Sequence, residues 1–332
     1  LQQDQGEPGS RRAGFDAVDR VGHIPGMIAP SGSPHAPLLF DRDLARRRLA
    51  RAAASGPAGF LLDRAAADLA DRLSTVLRRF AVAADIGTPG GVGADVLEVS
   101  QSVDYVLRLI PMGDRAARLQ QLCIVGSEEA LPFSQGSLDL VVSLLSLHGV
   151  NDLPGVLVQA RRALRPDGLF LACLAGGETL IELRRCLMDA EAELEGGISP
   201  RVFPFVDVRE MGGLLQRAGF ALPVTDLDRV IVRYPDALAL MRDLRAMGAT
   251  NVMLERRRRF LRRDTLMRAI QLYTERFSDS DGRIRATFDL VWLSGWAPHE
   301  SQQKSLRPGS AKARLADALG ATEFSAGEKP SR

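Results

Sequence analysis

The strongest constraint on how this chain can fold is a rhythm: short apolar runs recur, with helical segments spaced between them. The runs fall at 81–86, 103–110, 122–126, 138–145 and 169–174. Each is too short for a buried helix, and together they keep the spacing of successive strand–helix–strand units. Strands covered on both faces read as continuous apolar runs, which is the signature of a parallel sheet. Between the last two runs, 153–164 is an amphipathic segment ending in Arg161, Arg162 and Arg165, and Pro166-Asp167-Gly168 turns the chain into the next strand. Further helices are expected at 178–195, 207–218, 236–247 and 264–277. Two more strands, at 229–232 and 287–293, complete a seven-stranded, mostly parallel α/β sheet with helices on both faces and 287–293 antiparallel at or near one edge.

The flanks differ from this core. Residues 1–37 are rich in Gly, Pro, Ser and Arg and lack apolar periodicity, so they are expected to be a disordered leader. Met27 reads as a start position, with 1–26 upstream or processed; Asp4, Glu7, Asp16 and Asp19 argue against a mitochondrial-type leader. Residues 38–80 carry two helices, a basic one to about Ala54 and a second from 60 to 80. The α/β domain then spans 81–300, and 301–332 forms a loose, polar tail. Net charge is +2 over 332 residues, too near neutrality for a general nucleic-acid binder. No apolar run reaches the length of a spanning helix. Cys123, Cys173 and Cys186 form no paired motif; Cys123 and Cys173 read as buried thiols, and no metal site is called.

In an open α/β sheet, ligands sit beyond the carboxyl ends of the strands. Three segments occupy such places: Asp85-Ile86-Gly87-Thr88-Pro89-Gly90-Gly91, Gly126-Ser127-Glu128-Glu129-Ala130-Leu131-Pro132-Phe133, and the stretch from Ser143 through Ser146, Leu147 and His148 to Asn151 and Asp152. Glycines in the first let backbone approach a ligand closely. His148 reads equally well as a strand-end histidine and as a pocket residue. His299 and Glu300 read equally as a cap and as a catalytic pair. The run Glu255–Arg263 is a solvated helix face by default and a docking face for an acidic partner in the sharper reading.

The order of these segments, with Leu138-Asp139-Leu140-Val141-Val142-Ser143 and Leu164-Arg165-Pro166-Asp167-Gly168, resembles the class I S-adenosylmethionine (SAM) methyltransferases. These include the malonyl-carrier-protein methyltransferases. Phe40-Asp41-Arg42, Ser146-Leu147-His148 with Asn151-Asp152-Leu153-Pro154, Gly176-Gly177-Glu178-Thr179-Leu180, Glu195-Gly196-Gly197-Ile198-Ser199-Pro200, and Gly295-Trp296 with His299-Glu300-Ser301-Gln302 resemble the complex I assembly-factor branch, which acts as an arginine hydroxylase. The resemblance runs from about Phe40 to Ala311 and implies a Rossmann-like class I methyltransferase fold. It also implies SAM as cofactor, held by Asp85, Gly87, Gly91, Ser127, Glu128, Ser146 and His148. Catalytic candidates are His148, Asn151 and Asp152. The implied partner is a protein, a quinone-module subunit of respiratory complex I. The implied place is the cytoplasm of a bacterium or the matrix of a mitochondrion, with peripheral membrane contact and no span.

Three departures from the family pattern predict weakened SAM binding. Pro89 stands where the loop's middle glycine is usual, β-strand 103–110 ends at Ile110 without the acid that holds ribose, and Ser127 stands at the adenine-side acid. The leading expectation is an enzyme that hydroxylates or methylates a protein side chain. The rival is a catalytically degenerate assembly chaperone that binds SAM weakly or not at all.

Overall fold

The computed structural model describes residues 38–111, 121–303 and 320–322. The expected leader and most of the expected tail lie outside the described residues. Two helices open the described chain, α1 (Arg42–Ala54) and α2 (Phe60–Ser74). Then follow β1 (Phe80–Ile86), α3 (Val92–Val99), β2 (Val103–Pro111), β3 (Leu122–Gly126), β4 (Leu138–Leu144), α4 (Leu153–Ala163) and β5 (Leu164–Gly176). After these come α5 (Ile181–Glu195), α6 (Val208–Arg217), β6 (Ala221–Tyr234), α7 (Ala237–Ala246), α8 (Arg263–Phe277) and β7 (Ile284–Trp296).

The strands form one sheet in the order β3-β2-β1-β4-β5-β7-β6. The first five run parallel, while β7 runs antiparallel to both β5 and β6. The reversal of direction along the chain at β1, where β2 lies on one side and β4 on the other, is the switch point of such a sheet. Because side chains alternate across a strand, each central strand feeds two cores. Ala84, Ile86, Val141, Phe170, Ala172 and Leu174 pack with α4 and α6. Their neighbours Phe80, Leu140, Val142, Leu169, Leu171 and Cys173 pack with α2 and α3 on the opposite face. A third core, with Leu183, Leu240, Leu272 and Tyr273, joins α5, α7 and α8 to the inner side of β7.

The helix expected over 60–80 ends six residues early, at Ser74. The Thr75 hydroxyl donates to the Arg72 carbonyl and closes the helix, while Phe80 is drawn into the sheet opposite Val103. Leu77, assigned to that helix by spacing, is fully exposed in the connection. The strand expected at 229–232 is only the middle of β6, a fourteen-residue edge strand. Its alternate exposed side chains include Asp226, Arg229 and Arg233, which mask the apolar period. Cys123, expected to be buried, is half-buried on edge strand β3; Cys173 is fully buried. The Glu255–Arg263 run is a loop leading into α8 rather than a helix face. Several of its charges are used internally: Arg256 pairs with Asp41 at 3.3 Å, Arg257 with Glu195, and Arg262 with Asp264 at 2.6 Å.

Phe170 sits fully buried in the middle of β5, its ring 5.2 Å from that of Phe220. Replacing Phe170 with Ala should lower unfolding free energy by about 3–5 kcal/mol, read as a shifted urea midpoint with an unchanged slope.

Candidate functional site

The site is built where β1 ends. Gly87, Gly90 and Gly91 all have left-handed backbone, with φ of 75°, 68° and 80°. Asp85 is fully buried beneath this turn. Its carboxylate accepts a hydrogen bond from the Thr88 hydroxyl and another, at 3.0 Å, from the Ala94 backbone N–H near the start of α3. Thr88 is bound from the other side as well: its hydroxyl oxygen accepts from the Leu144 N–H at 3.0 Å. One carboxylate and one hydroxyl therefore tie the end of β1, the first turn of α3 and the end of β4 together. Burial, opposed by those hydrogen bonds and by the charge of Arg108, raises the Asp85 pKa to about 6.

Gly87 faces the two other strand ends. A Cβ there would lie 2.4 Å from the Ser146 Oγ and 2.7 Å from Glu128 Oε1, so only glycine fits. Ser146 follows β4, and its hydroxyl donates to Glu128 Oε1 at 3.3 Å. Glu128, on the turn after β3, is buried, and its Oε2 takes the Arg42 guanidinium at 2.5 Å. Arg42 is the first residue of α1 and also donates to the Gly149 carbonyl at 2.9 Å. The structure thus gathers Gly87, Glu128 and Ser146 in direct contact with Asp85 beneath them. Gly91 is apart from that group. A Cβ on it would lie 2.6 Å from the Arg108 Cζ, so the buried Arg108 side chain, rising from β2 opposite Asp85, covers it. Ser127 is committed to its own turn, its hydroxyl accepting from the Glu129 N–H at 3.3 Å.

His148 lies two residues past Ser146, in the short 3-10 turn Leu147–Gly149. Its Nδ1 is buried and finds no hydrogen-bond partner among the described residues. Desolvation, aided by the positive charge of Arg42, pushes its pKa down to about 4, so the ring is neutral at physiological pH. It borders a cavity of about 180 Å³ whose walls include Phe40, Ala175, Phe205, Met211 and Leu214. The Phe205 ring stands 6.2 Å from the imidazole, and Phe203 links Phe205 to Phe40.

The other two catalytic candidates carry structural hydrogen bonds, and Asn151 also lines the cavity. The Asn151 side-chain Oδ1 accepts from the Leu39 and Phe40 N–H groups, both at 2.8 Å, and its backbone N–H donates to Glu129. Asp152 caps α4 by accepting from the Gly155 N–H at 2.8 Å. His299 and Glu300 lie in an exposed turn where the imidazole bonds the Ser301 hydroxyl at 2.7 Å, which is a local cap. Among the described residues, no cluster of His, Cys, Asp and Glu could hold a metal ion. Sequence reasoning missed Thr88, Arg108, Arg42 and the Phe203–Phe205 wall. Two of these left a signal: a threonine three residues after a strand-end acid, and an arginine inside an apolar strand run.

A sheet of this order, with a buried acid and a glycine turn after its first strand, defines a class I methyltransferase. A methyltransferase domain model matches residues 84–172. The arginine-hydroxylase NDUFAF5, mitochondrial, of Danio rerio is 39% identical over 84% of this chain and 89% of its own length. Its Homo sapiens counterpart is 38% identical over 86% of this chain and 85% of its own. A malonyl-[acyl-carrier protein] O-methyltransferase of Laribacter hongkongensis is 34% identical over 81% of this chain and 94% of its own. The chain belongs to the SAM-dependent methyltransferase superfamily, in the NDUFAF5 arginine-hydroxylase family of enzymes within it. No helix among the described residues is long and apolar enough to cross a membrane.

The two displaced pKa values act in opposite directions on stability. Asp85 has a folded pKa above its ordinary value, so its protonated form favours the fold. That contribution is full below about pH 4 and is lost as pH rises through about 6. His148 has a depressed pKa, so its contribution is present above about pH 6.5 and is lost as pH falls through about 4. Replacing Asp85 with Asn removes the first effect alone. Relative to native protein, the variant should gain on the order of 2–3 kcal/mol between pH 4 and pH 7, measured by urea unfolding at both values.

Proposed function

We propose that this chain modifies an arginine side chain of a quinone-module subunit of respiratory complex I, with SAM held at the Gly87 turn. The carrying observation is the neutral His148 imidazole, its buried Nδ1 without a partner among the described residues, at a cavity lined by Phe40 and Phe205 and two residues from the Ser146 that closes on Gly87. The relatives' name of arginine-hydroxylase supports the choice of arginine, and the resemblance to the complex I assembly-factor branch supports complex I. The reaction would run in the cytoplasm of a bacterial host or the mitochondrial matrix of a eukaryotic one.

The turn is compatible with SAM. Left-handed Gly87 puts no side chain between its backbone and a ligand, and the Glu128 carboxylate and Ser146 hydroxyl offer acceptors for the ammonium and hydroxyl groups of such a molecule. The end of β2 is the exception, since Arg108 brings a cation to Gly91, where the family pattern asks for an acid nearby. When bound, SAM supplies an electrophilic methyl group. Asp85 and Thr88 keep the turn in shape, and Phe40 and Phe205 give the neighbouring cavity an apolar lining, with Phe203 packed between them. His148, neutral above about pH 5, can accept a hydrogen bond from a guanidinium without repelling it, which an imidazolium could not do.

The relatives' names divide between oxygen insertion and methyl transfer, and mass distinguishes the two. Purified protein, SAM and the complex I quinone-module subunit of the same organism are to be incubated with cell extract as a source of oxidant and reductant. The subunit is then digested for peptide mass spectrometry. A gain of one oxygen on an arginine is expected, and His148→Ala should abolish most of it. A gain of one methylene instead would make the chain a protein methyltransferase. An unmodified subunit that nonetheless binds the protein would sink the enzymatic proposal and leave a non-catalytic chaperone.

A further inference from the structure

Two carboxylates lie against the Gly87 turn, and they are not equivalent. Asp85 is spent on holding the turn: one oxygen takes the Thr88 hydroxyl and the other the Ala94 N–H. Glu128 serves no backbone group by its side chain. Oε1 meets Ser146 at 3.3 Å and would lie 2.7 Å from a Cβ built on Gly87, while Oε2 meets Arg42. The neighbouring Glu129 is occupied by the Asn151 N–H, and Asp152 by its helix cap. Among the described residues, Glu128 is therefore the acid at this turn whose partner could be exchanged.

Its present partner is poorly accommodated. The Arg42 side chain is only 17% exposed, yet its Nε is buried without a hydrogen-bond partner among the described residues. A buried guanidinium with an unmet donor keeps part of its desolvation cost, so the pair is weaker than its short contact suggests. Releasing Arg42 would not require the chain before α1 to unfold. Leu39 to Asp41 are fixed independently: Leu39 and Phe40 bond Asn151, the Asp41 N–H donates to the Val252 carbonyl at 2.8 Å, and the Leu254 N–H donates to the Leu39 carbonyl at 2.9 Å. Only the side chain has to swing.

We infer that Glu128 is the acceptor that holds SAM at this turn in place of the acid missing from the end of β2, and that Arg42 is an internal competitor for it. The ammonium and ribose hydroxyls of SAM are donors of the kind Arg42 now presents to Glu128. The native protein binds SAM only by displacing that guanidinium, so a tethered competitor at high effective concentration sets its affinity. The inference rests on SAM being the ligand of the Gly87 turn.

Calorimetric titration with SAM tests it on the full chain, comparing native protein with Arg42→Ala, Arg42→Gln, Glu128→Gln and the double variant Arg42→Ala with Glu128→Gln. Thermal melting identifies which variants are folded, and Arg42→Gln, which keeps a long polar side chain, covers a loss of folding in Arg42→Ala. Removing the competitor should tighten SAM binding by about tenfold or more. Glu128→Gln should weaken it by a similar factor, and the gain from Arg42→Ala should vanish in the double variant. A purely structural Arg42 would lower stability without tightening SAM binding. Unchanged or weaker binding by both folded Arg42 variants overturns the inference, as does native-like binding by Glu128→Gln. In those cases native binding of SAM leaves the cofactor reading intact. Absence of binding by native and Arg42 variants alike overturns both.

Discussion

A single buried carboxylate organises the carboxyl edge of this sheet. Asp85 reaches the Thr88 hydroxyl and the Ala94 N–H, and Thr88 in turn receives the Leu144 N–H, so three elements meet at one acid. A carboxyl group taken wholly out of water is costly, and the raised pKa records that cost. What the fold gains is geometric: the glycine turn is held open, and the ends of β1 and β4 are kept in register. Gly87 can then approach Ser146 and Glu128 closely. Without the anchor, the left-handed turn would have no fixed place against either strand end.

The N-terminal helices belong to the same construction. Phe40 bridges to Met253 and stacks 5.0 Å from Phe203, while Asn151 receives the backbone of Leu39 and Phe40. Glu129 holds Asn151 and Glu128 holds Arg42, so two adjacent acids on the turn after β3 grip one segment in two ways. α1 is thus attached to the site at both the backbone and the side-chain level.

The central strands β1, β4 and β5 were legible because both of their faces are largely buried, which leaves uninterrupted apolar runs in the sequence. β6 was legible only in part, since Asp226, Asp228 and Arg229 interrupt the apolar residues of this edge strand. The glycine turn and its neighbours Glu128 and Ser146 could be read from their places after strands. Arg108 could not be read as a neighbour of Gly91, because its direction depends on strand register: it pairs with Asp85, and a shift by one residue would turn it to the other face. The long-range bonds of Asn151 were hidden too, since its side chain is taken by backbone 112 residues away, while Asp152 caps the helix that begins at the next residue.

The strand order has a consequence for synthesis. Among the described residues, β6 touches the sheet only through β7, and β7 is the last strand in sequence. A chain emerging from the ribosome can close β3-β2-β1-β4-β5 from its own contiguous pieces, but β6 must wait with no neighbour until residues 284–296 have been made. During that interval the open side of β5 and both sides of β6 are unpaired. Completion of the sheet is therefore a late, long-range event, exposed to mispairing until the final strand slides between the two.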